Sequence, residues 1–112
     1  MYNLNGKTAI VTGSGRHNGI GKAIAMRLAN EGCNIVISDI VNAKGEQFAA
    51  EHIGAIDEMN EIVEMCQLKG VQAISVHCDV RIEADCANLI AKAVEAFGTT
   101  DILVNNAGVG YI

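Results

Sequence analysis

Four short apolar runs, rich in β-branched residues, alternate along this chain with segments of helical periodicity. The runs cover residues 7–12 (KTAIVT), 34–38 (NIVIS), 71–77 (VQAISVH) and 101–104 (DILV). Such runs are typical of buried strands, and helices between successive strands predict a parallel sheet. Right-handed crossovers restrict how the sheet can wind, so we expect a doubly wound α/β fold that stops after its fourth strand. Ligands of such folds bind beyond the carboxyl ends of the strands.

Glycines mark the ends of two of the intervening helices. Apolar residues over positions 20–28 follow helical spacing, and Gly32 occupies the favoured position just past their end. A second amphipathic segment, over positions 86–97, is followed in the same way by Gly98. Both segments are therefore expected to be helices with glycine stops.

The remaining intervening segment, residues 42–69, is helical in character and strongly acidic. Its second part carries one apolar stripe, while the acidic residues face away from that stripe. This pattern predicts a core-facing stripe beneath a solvated outer face. Gly54 is expected to separate two helices within the segment.

Charge and hydropathy exclude several functional classes. The formal net charge is −5 and no cluster of Lys or Arg occurs, whereas nucleic-acid binding needs concentrated positive charge. No apolar run reaches the length of a membrane span, and residues 1–7 lack the pattern of a signal peptide. The four cysteines show neither CxxC spacing nor histidine partners, which favours thiols in a reducing compartment over a disulfide or a metal site. We expect a cytoplasmic protein without nucleic-acid, membrane or metal partners.

A glycine-rich segment lies between the first strand and the first helix. Its four glycines, at positions 13, 15, 19 and 21, can supply bare backbone N–H groups and room for close approach at the positive end of a helix dipole. A tight turn is the alternative interpretation. The strand before the segment and the helix after it favour a diphosphate site, although the strict GxGxxG pattern is absent.

Three motifs resemble those of the short-chain dehydrogenases/reductases. Residues 12–21 (TGSGRHNGIG) are similar to the family signature TGxxxGxG, with a longer loop of five residues where three are usual. Residues 105–108 (NNAG) reproduce a second motif directly after a strand. Asp79 and Val80 resemble the acidic pair that contacts adenine in this family through a carboxylate and a backbone N–H. The chain is thereby identified as a member of the classical branch, N-terminal half only.

The resemblance implies a Rossmann-type doubly wound parallel sheet, truncated after the fourth strand. Residues 1–112 would form one NAD-binding half-domain with an acidic helical insertion at about 42–69. The insertion is a tolerated surface segment, an extra helix beside the adenine, or an oligomer contact. A small-molecule substrate and a homo-oligomer are also implied. The candidate cofactor-binding residues are Gly13, Ser14, Arg16, Asn18, Gly19, Ile20, Gly21, Asp39, Asp79, Val80, Asn105, Asn106, Ala107 and Gly108.

Asp39 bears on the choice between NAD and NADP. It follows the second strand, 18 positions after Gly21, near the spacing at which an acid meets the adenosine ribose. Its carboxylate can accept hydrogen bonds from both ribose hydroxyls, but it repels a 2′-phosphate by roughly 4 kcal/mol at 4 Å and an effective dielectric of 20, before screening. Ile40 is apolar where NADP-binding relatives often carry a basic residue, whereas Arg16 could serve a 2′-phosphate. We predict NAD, with NADP less favoured; a capping or turn role for Asp39 is the alternative.

The catalytic groups of the family do not occur in these 112 residues. The family uses a tyrosine as general acid–base, a lysine four residues later that lowers the pKa of the phenol, and a serine that holds the substrate carbonyl. Neither Tyr2 nor Tyr111 has a lysine four residues on, so we expect no catalytic residue here and an inactive chain on its own. The complete protein would be an NAD-dependent oxidoreductase that interconverts a secondary alcohol and a ketone.

Two other functions stay open at this point. One is a non-catalytic dinucleotide-binding module, and the other is an enoyl-reductase-like member of the family. The longer glycine loop mildly favours the enoyl reductase, whereas the NNAG motif argues against it. The chain itself is either a fragment of a longer enzyme or a natural short protein.

Overall fold

Strands and helices alternate through the whole of the structure, a computed structural model that describes residues 3–16, 19–40 and 49–106, with the side chains of 49–56 left aside. The strands are β1 (Thr8–Thr12), β2 (Asn34–Asp39), β3 (Ala73–His77) and β4 (Ile102–Val104). The helices are α1 (Ile20–Asn30), α2 (Ala49–Gln67) and α3 (Glu83–Phe97). All four predicted strands are present, each within two residues of its predicted start.

The strands form one parallel sheet in the order β3-β2-β1-β4. Val11 is paired with Ile37 on one side and with Val104 on the other, so β1, β2 and β4 end at the same level. The chain first winds outward from β1 to β3 and then crosses back to place β4 on the far side of β1. This reversal between β1 and β4 is the topological switch point at which such sheets bind ligands.

Helices cover both faces of the sheet, as the doubly wound prediction requires. Because successive side chains of a strand face opposite ways, Ile35 and Ile37 pack with α1 and α2, whereas Val36 packs with α3. All three side chains are fully buried. Burial of a branched aliphatic side chain stabilises the folded protein by about 1.5–3 kcal/mol, and strands that are buried on both faces gain this on each face.

Two of the predicted helix stops are confirmed. Gly32 follows α1 with a φ of +98°, and Gly98 caps α3 in the left-handed region with a φ of +81°. The backbone N–H of Gly98 donates to the carbonyl of Val94 at 2.7 Å. Glycine reaches these φ values without the steric cost of a Cβ, which explains why both helices end there.

The prediction that Gly54 separates two helices is wrong. α2 runs without interruption through this position from Ala49 to Gln67. A glycine inside a helix costs only about 1 kcal/mol relative to alanine. Met59, Ile62 and Cys66 of the same helix are buried in the core, and their burial outweighs that cost.

No helix among the described residues is long and apolar enough to cross a membrane. In the same part of the chain, no group of three or more His, Cys, Asp or Glu side chains could hold a metal ion. Cys33, Cys66 and Cys78 are buried and Cys86 is half-buried.

Candidate functional site

The turn after β1 is built from glycine and a buried serine. Gly13 has a φ of +67°, a left-handed conformation that glycine adopts most easily. The Ser14 hydroxyl donates to the carbonyl of Val11 at 2.5 Å and accepts the N–H of Ser38 at 3.2 Å. The Ser14 N–H donates in turn to the carbonyl of Ser38 at 3.0 Å. Ser14 therefore fastens the turn to β2, with its donor groups used inside the protein.

The turn leads to a helix start that is open to an anion. Gly19 is the N-cap of α1, makes no side-chain capping bond, and is followed by no acidic residue in the first turn. The backbone N–H groups of a first helical turn have no partner within their own helix and carry a partial positive charge. Ile20, in the first turn, is 72% exposed and offers an apolar side chain at the same place.

Gly21 lies where the backbone of α1 packs against the turn after β1. A Cβ at this position would lie 2.6 Å from the carbonyl oxygen of Gly13, 2.7 Å from Nδ2 of Asn106 and 2.9 Å from Cα of Ser14. At Gly19 the nearest atom would be 3.5 Å away, an ordinary contact. Gly21 is thus required by packing within the protein, whereas a side chain at Gly19 would make only ordinary contacts with the described residues.

The Asp39 carboxylate lies against the glycine segment. One oxygen accepts the N–H of Gly15 at 2.9 Å, and the other accepts the N–H of Ile40 at 2.8 Å. A carboxylate has about four acceptor positions, and the described residues fill one on each oxygen, so within the described part of the chain each oxygen has capacity for another donor. Asp39 is half-buried, which leaves it accessible from the solvent side. The end of β2 and the start of the glycine segment therefore form one continuous polar site.

α2 also reaches this site. A guanidinium nitrogen of Arg16 lies 3.2 Å from a carboxylate oxygen of Glu58. Met59, the next residue of α2, packs against the glycine segment so closely that a Cβ at Gly15 would lie 2.6 Å from its Cγ. α2 therefore lies beside the glycine segment.

Asp79 lies at the end of β3 and is held by Arg81. The guanidinium of Arg81 donates to both carboxylate oxygens, at 2.9 and 2.7 Å, and its backbone N–H donates to one of them at 3.0 Å. These bonds to Arg81 lower the pKa of the Asp79 carboxyl to about 2. The Asp79 N–H donates to a carboxylate oxygen of Asp85 at 3.0 Å. The neighbouring Val80 exposes its apolar side chain.

Asn106 joins the end of β4 to the turn after β1. Its side-chain Nδ2 donates to the carbonyl of Gly13 at 3.1 Å, and its backbone N–H donates to the Thr12 hydroxyl at 3.1 Å. That hydroxyl donates to the carbonyl of Val104 at 3.2 Å. Asn105 is exposed and Asn106 is half-buried. Asn106 therefore links the ends of β1 and β4 at the switch point.

The predicted site residues that the structure describes all lie at the carboxyl edge of the sheet. Asn18, Ala107 and Gly108 fall outside the described residues. Sequence reasoning missed several partners that position the predicted residues, namely Thr12, Glu58, Met59, Arg81 and Asp85. Only Thr12 had a local signal, because it directly precedes the glycine segment at the end of a strand.

A dinucleotide fits this set of groups. The uncapped start of α1 suits a diphosphate, and the acceptor positions of Asp39 that the described residues leave unfilled suit the hydroxyls of a ribose. The sheet order, the switch point and this helix start define the class of the protein, a Rossmann-type α/β protein.

Comparison with known proteins places the chain within one family of that class. The profile of the short chain dehydrogenase family matches residues 7–111, and the chain belongs to this family. It is 41% identical over 107 residues to 7alpha-hydroxysteroid dehydrogenase of Escherichia coli (strain K12), a match that covers 96% of the chain. It is also 41% identical over 109 residues to glucose 1-dehydrogenase 2 of Bacillus subtilis (strain 168), again over 96% of the chain.

Solved structures agree with this assignment. The crystal structure of hydroxysteroid dehydrogenase from Escherichia coli superposes with a TM-score of 0.75 at 39% identity, covering 96% of this chain and 39% of that one. A dehydrogenase/reductase from Sinorhizobium meliloti 1021 gives a TM-score of 0.76 at 37% identity, covering 96% and 36%. The chain spans 36% of the length of both curated relatives named above.

Proposed function

We propose that residues 1–112 form the NAD-binding half-domain of an oxidoreductase that interconverts a secondary alcohol and a ketone. The observation that carries this proposal is the position of Asp39, which lies beside the glycine segment with both carboxylate oxygens able to accept further hydrogen bonds. The 2′- and 3′-hydroxyls of an adenosine ribose would supply the donors. A 2′-phosphate in their place would bring negative charge against the carboxylate.

The other parts of the dinucleotide follow from the neighbouring strand ends. The first turn of α1, from Gly19 to Gly21, would bind the diphosphate through backbone N–H groups. The carboxylate of Asp79 and the backbone N–H of Val80 would contact the adenine, beside the exposed side chain of Val80. Asn105, together with Ala107 and Gly108, would line the middle of the cofactor. When bound, NAD supplies the hydride acceptor or donor, and these residues bind and orient it.

The proposal assigns no proton-transfer step to these 112 residues. Tyr2 and Tyr111 are the two tyrosines of the chain, and neither is followed by a lysine four residues later. The relatives that share the family are about three times as long as the matched region, since the chain covers 36% of their length. We therefore propose that the chain binds cofactor but does not turn over substrate by itself. A small alcohol or ketone would be the substrate of the complete enzyme.

A cytoplasmic location and a homo-oligomeric state are part of the same proposal. The location is supported by four cysteines that show no disulfide spacing, a pattern typical of reducing compartments. The oligomeric state is supported by the family resemblance alone.

Calorimetric titration of the Asp39→Ala variant tests the proposed cofactor. We expect the variant to bind NAD at least about tenfold more weakly, because two charge-assisted hydrogen bonds to the ribose are lost. NADP binding should be unchanged or tighter, because the repulsion with the 2′-phosphate is also lost.

Two controls accompany this measurement. Glu95→Ala removes an exposed carboxylate from the last turn of α3, which leads to the amino edge of the sheet, opposite the site, and should leave the affinity for both dinucleotides unchanged. NADP serves as an internal control, because a disrupted glycine segment would weaken the binding of both dinucleotides. Unchanged NAD affinity in Asp39→Ala would show that the assignment of the ribose site is wrong.

A further inference from the structure

We infer that Glu58 is a specificity-determining residue that favours NAD over NADP by holding Arg16. This inference rests on the proposed function and extends it to a residue of α2 that makes no contact with the cofactor in our assignment. Arg16 is the one basic side chain described in the glycine segment, and a guanidinium there is the natural partner of a 2′-phosphate. Whether Arg16 is available to a 2′-phosphate therefore decides how strongly the site discriminates between NAD and NADP.

The geometry places three charged groups around the end of β2. Asp39 accepts the N–H of Gly15, the residue just before Arg16. The guanidinium of Arg16 lies 3.2 Å from the Glu58 carboxylate. α2 is held in this position because Met59 packs tightly against Gly15 and is itself buried in the core. Glu58 is thus fixed beside the site by the packing of its own helix.

The charges of these groups act against a 2′-phosphate. The guanidinium of Arg16 is paired with the carboxylate of Glu58, and the carboxylate of Asp39 is bonded to Gly15, so the described charged groups at this end of the site include two carboxylates and one guanidinium. A 2′-phosphate would have to compete with Glu58 for the guanidinium. Arg16 is 52% exposed and Glu58 is 28% exposed, so a ligand can reach the pair. Solvent screening keeps the contribution modest, as for other exposed pairs.

The substitution Glu58→Gln removes the ion pair with Arg16 without changing the length of the side chain. We expect NADP to bind about fivefold more tightly to the variant, because one guanidinium becomes available for charge-assisted bonds to phosphate. NAD affinity should change by less than about twofold, since the ribose hydroxyls are neutral. The gain should shrink in high salt. The measurement is the dissociation constant of each dinucleotide, obtained by calorimetry on the complete protein that carries this chain.

Two further variants separate the mechanism from a general charge effect. In Arg16→Gln/Glu58→Gln the tighter NADP binding should be mostly lost, because Glu58 acts through Arg16. Glu64→Gln removes the same charge from an exposed position six residues further along α2 and should leave the ratio of the two affinities unchanged. Unfolding midpoints of all variants should match the wild type within about 2 °C, since exposed pairs contribute little to stability.

Each outcome decides one question. Equal gains in NADP affinity for Glu58→Gln and for the double variant would overturn the role of Arg16. An unchanged ratio in Glu58→Gln, with a wild type that prefers NAD, would overturn the inference and leave the proposed function standing. A wild type that binds neither dinucleotide would overturn the proposed function, and the inference would fall with it.

Discussion

Two aspartates at the ends of neighbouring strands are held in different ways. Asp39 accepts backbone N–H groups from Gly15 and Ile40, one on each oxygen. Asp79 instead forms a two-pronged ion pair with Arg81, at 2.9 and 2.7 Å, and is almost fully covered. Backbone donors fix the position of Asp39 while leaving acceptor capacity for a ligand. Arg81 keeps Asp79 ionised and limits the directions from which a ligand can approach it.

The ion pair with Arg81 makes the contribution of Asp79 to folding stability dependent on pH. Its pKa in the folded state is lowered to about 2, below the value of about 3.9 for an unperturbed aspartate. A lowered folded-state pKa contributes stability that is fully present above about pH 4 and is lost as the pH falls through about 2. We therefore expect the difference in unfolding free energy between wild type and Asp79→Asn to be constant above pH 4 and to shrink below it. Urea titrations at a series of pH values measure this difference.

The substitution Arg81→Gln tests whether Arg81 is the cause of the lowered pKa of Asp79. Without the guanidinium, the pKa of Asp79 should rise toward the ordinary aspartate value, because the two side-chain hydrogen bonds are the largest cause of the shift. The carboxyl carbon resonance of Asp79, followed by NMR against pH, reports this value directly. A pKa that stays near 2 in the variant would mean that other groups around Asp79 determine its ionisation.

At the scale of elements, the junction of β1 with α1 depends on two glycines for different reasons. Gly21→Ala should destabilise the protein by about 1–3 kcal/mol, because the added methyl group would press on backbone atoms of the turn that cannot move aside. This cost opposes the gain of about 1 kcal/mol that alanine normally brings to a helix. Chemical denaturation measures the net effect.

Gly19→Ala is the matched control at the same junction. Its Cβ would make only ordinary contacts, so the loss of stability should stay near 0.5 kcal/mol. NAD binding should nevertheless weaken, because the methyl group would occupy the space proposed for the diphosphate. Unchanged NAD affinity in a folded Gly19→Ala protein would contradict the diphosphate site at the start of α1.

Local signals in the sequence were enough to predict most of the elements. Strand runs such as residues 34–38 and glycine stops such as Gly98 depend on neighbours in the chain, and both appear in the structure. The prediction for Gly54 fails because the cost of a glycine inside a helix is small compared with the core packing of α2. No local rule indicates how much packing a segment will gain.

Of the candidate site, the sequence could predict only the residues that lie at the ends of the strands. The position of Asp39 beside the glycine segment follows from the parallel sheet and its switch point. The pairing of Arg16 with Glu58 joins residues 42 positions apart and depends on how α2 packs, which periodicity does not specify. The contact of Arg81 with Asp79 is local, yet it depends on a side-chain conformation that the sequence leaves open.

Helices cover the two faces of the described sheet to different extents. α1 and α2 pack on one face of the sheet and α3 alone on the other. On the α3 side, Ile90 and Val94 expose much of their surface. β4 pairs with β1 on one side and forms the edge of the described sheet. Leu103 of this strand is 50% exposed, and its register partner Ile10 is buried on the α3 face.

An unpaired strand edge with exposed apolar neighbours is a site of self-association. We expect the 112-residue chain, prepared alone, to associate through β4, and we expect Leu103→Lys to weaken that association about tenfold. A tenfold change corresponds to about 1.4 kcal/mol, which partial burial of a leucine side chain can supply. A lysine on an edge strand also opposes the pairing of strands. Sedimentation velocity over a range of protein concentrations measures the association constant.

Leu68→Lys provides the control that separates edge pairing from general hydrophobicity. Leu68 is 87% exposed, more than Leu103, and it directly follows the end of α2. If exposed apolar surface alone drove association, this substitution would weaken it at least as much as Leu103→Lys. If the edge of β4 drives association, only Leu103→Lys will act, because Leu103 lies in β4 whereas Leu68 lies outside the sheet.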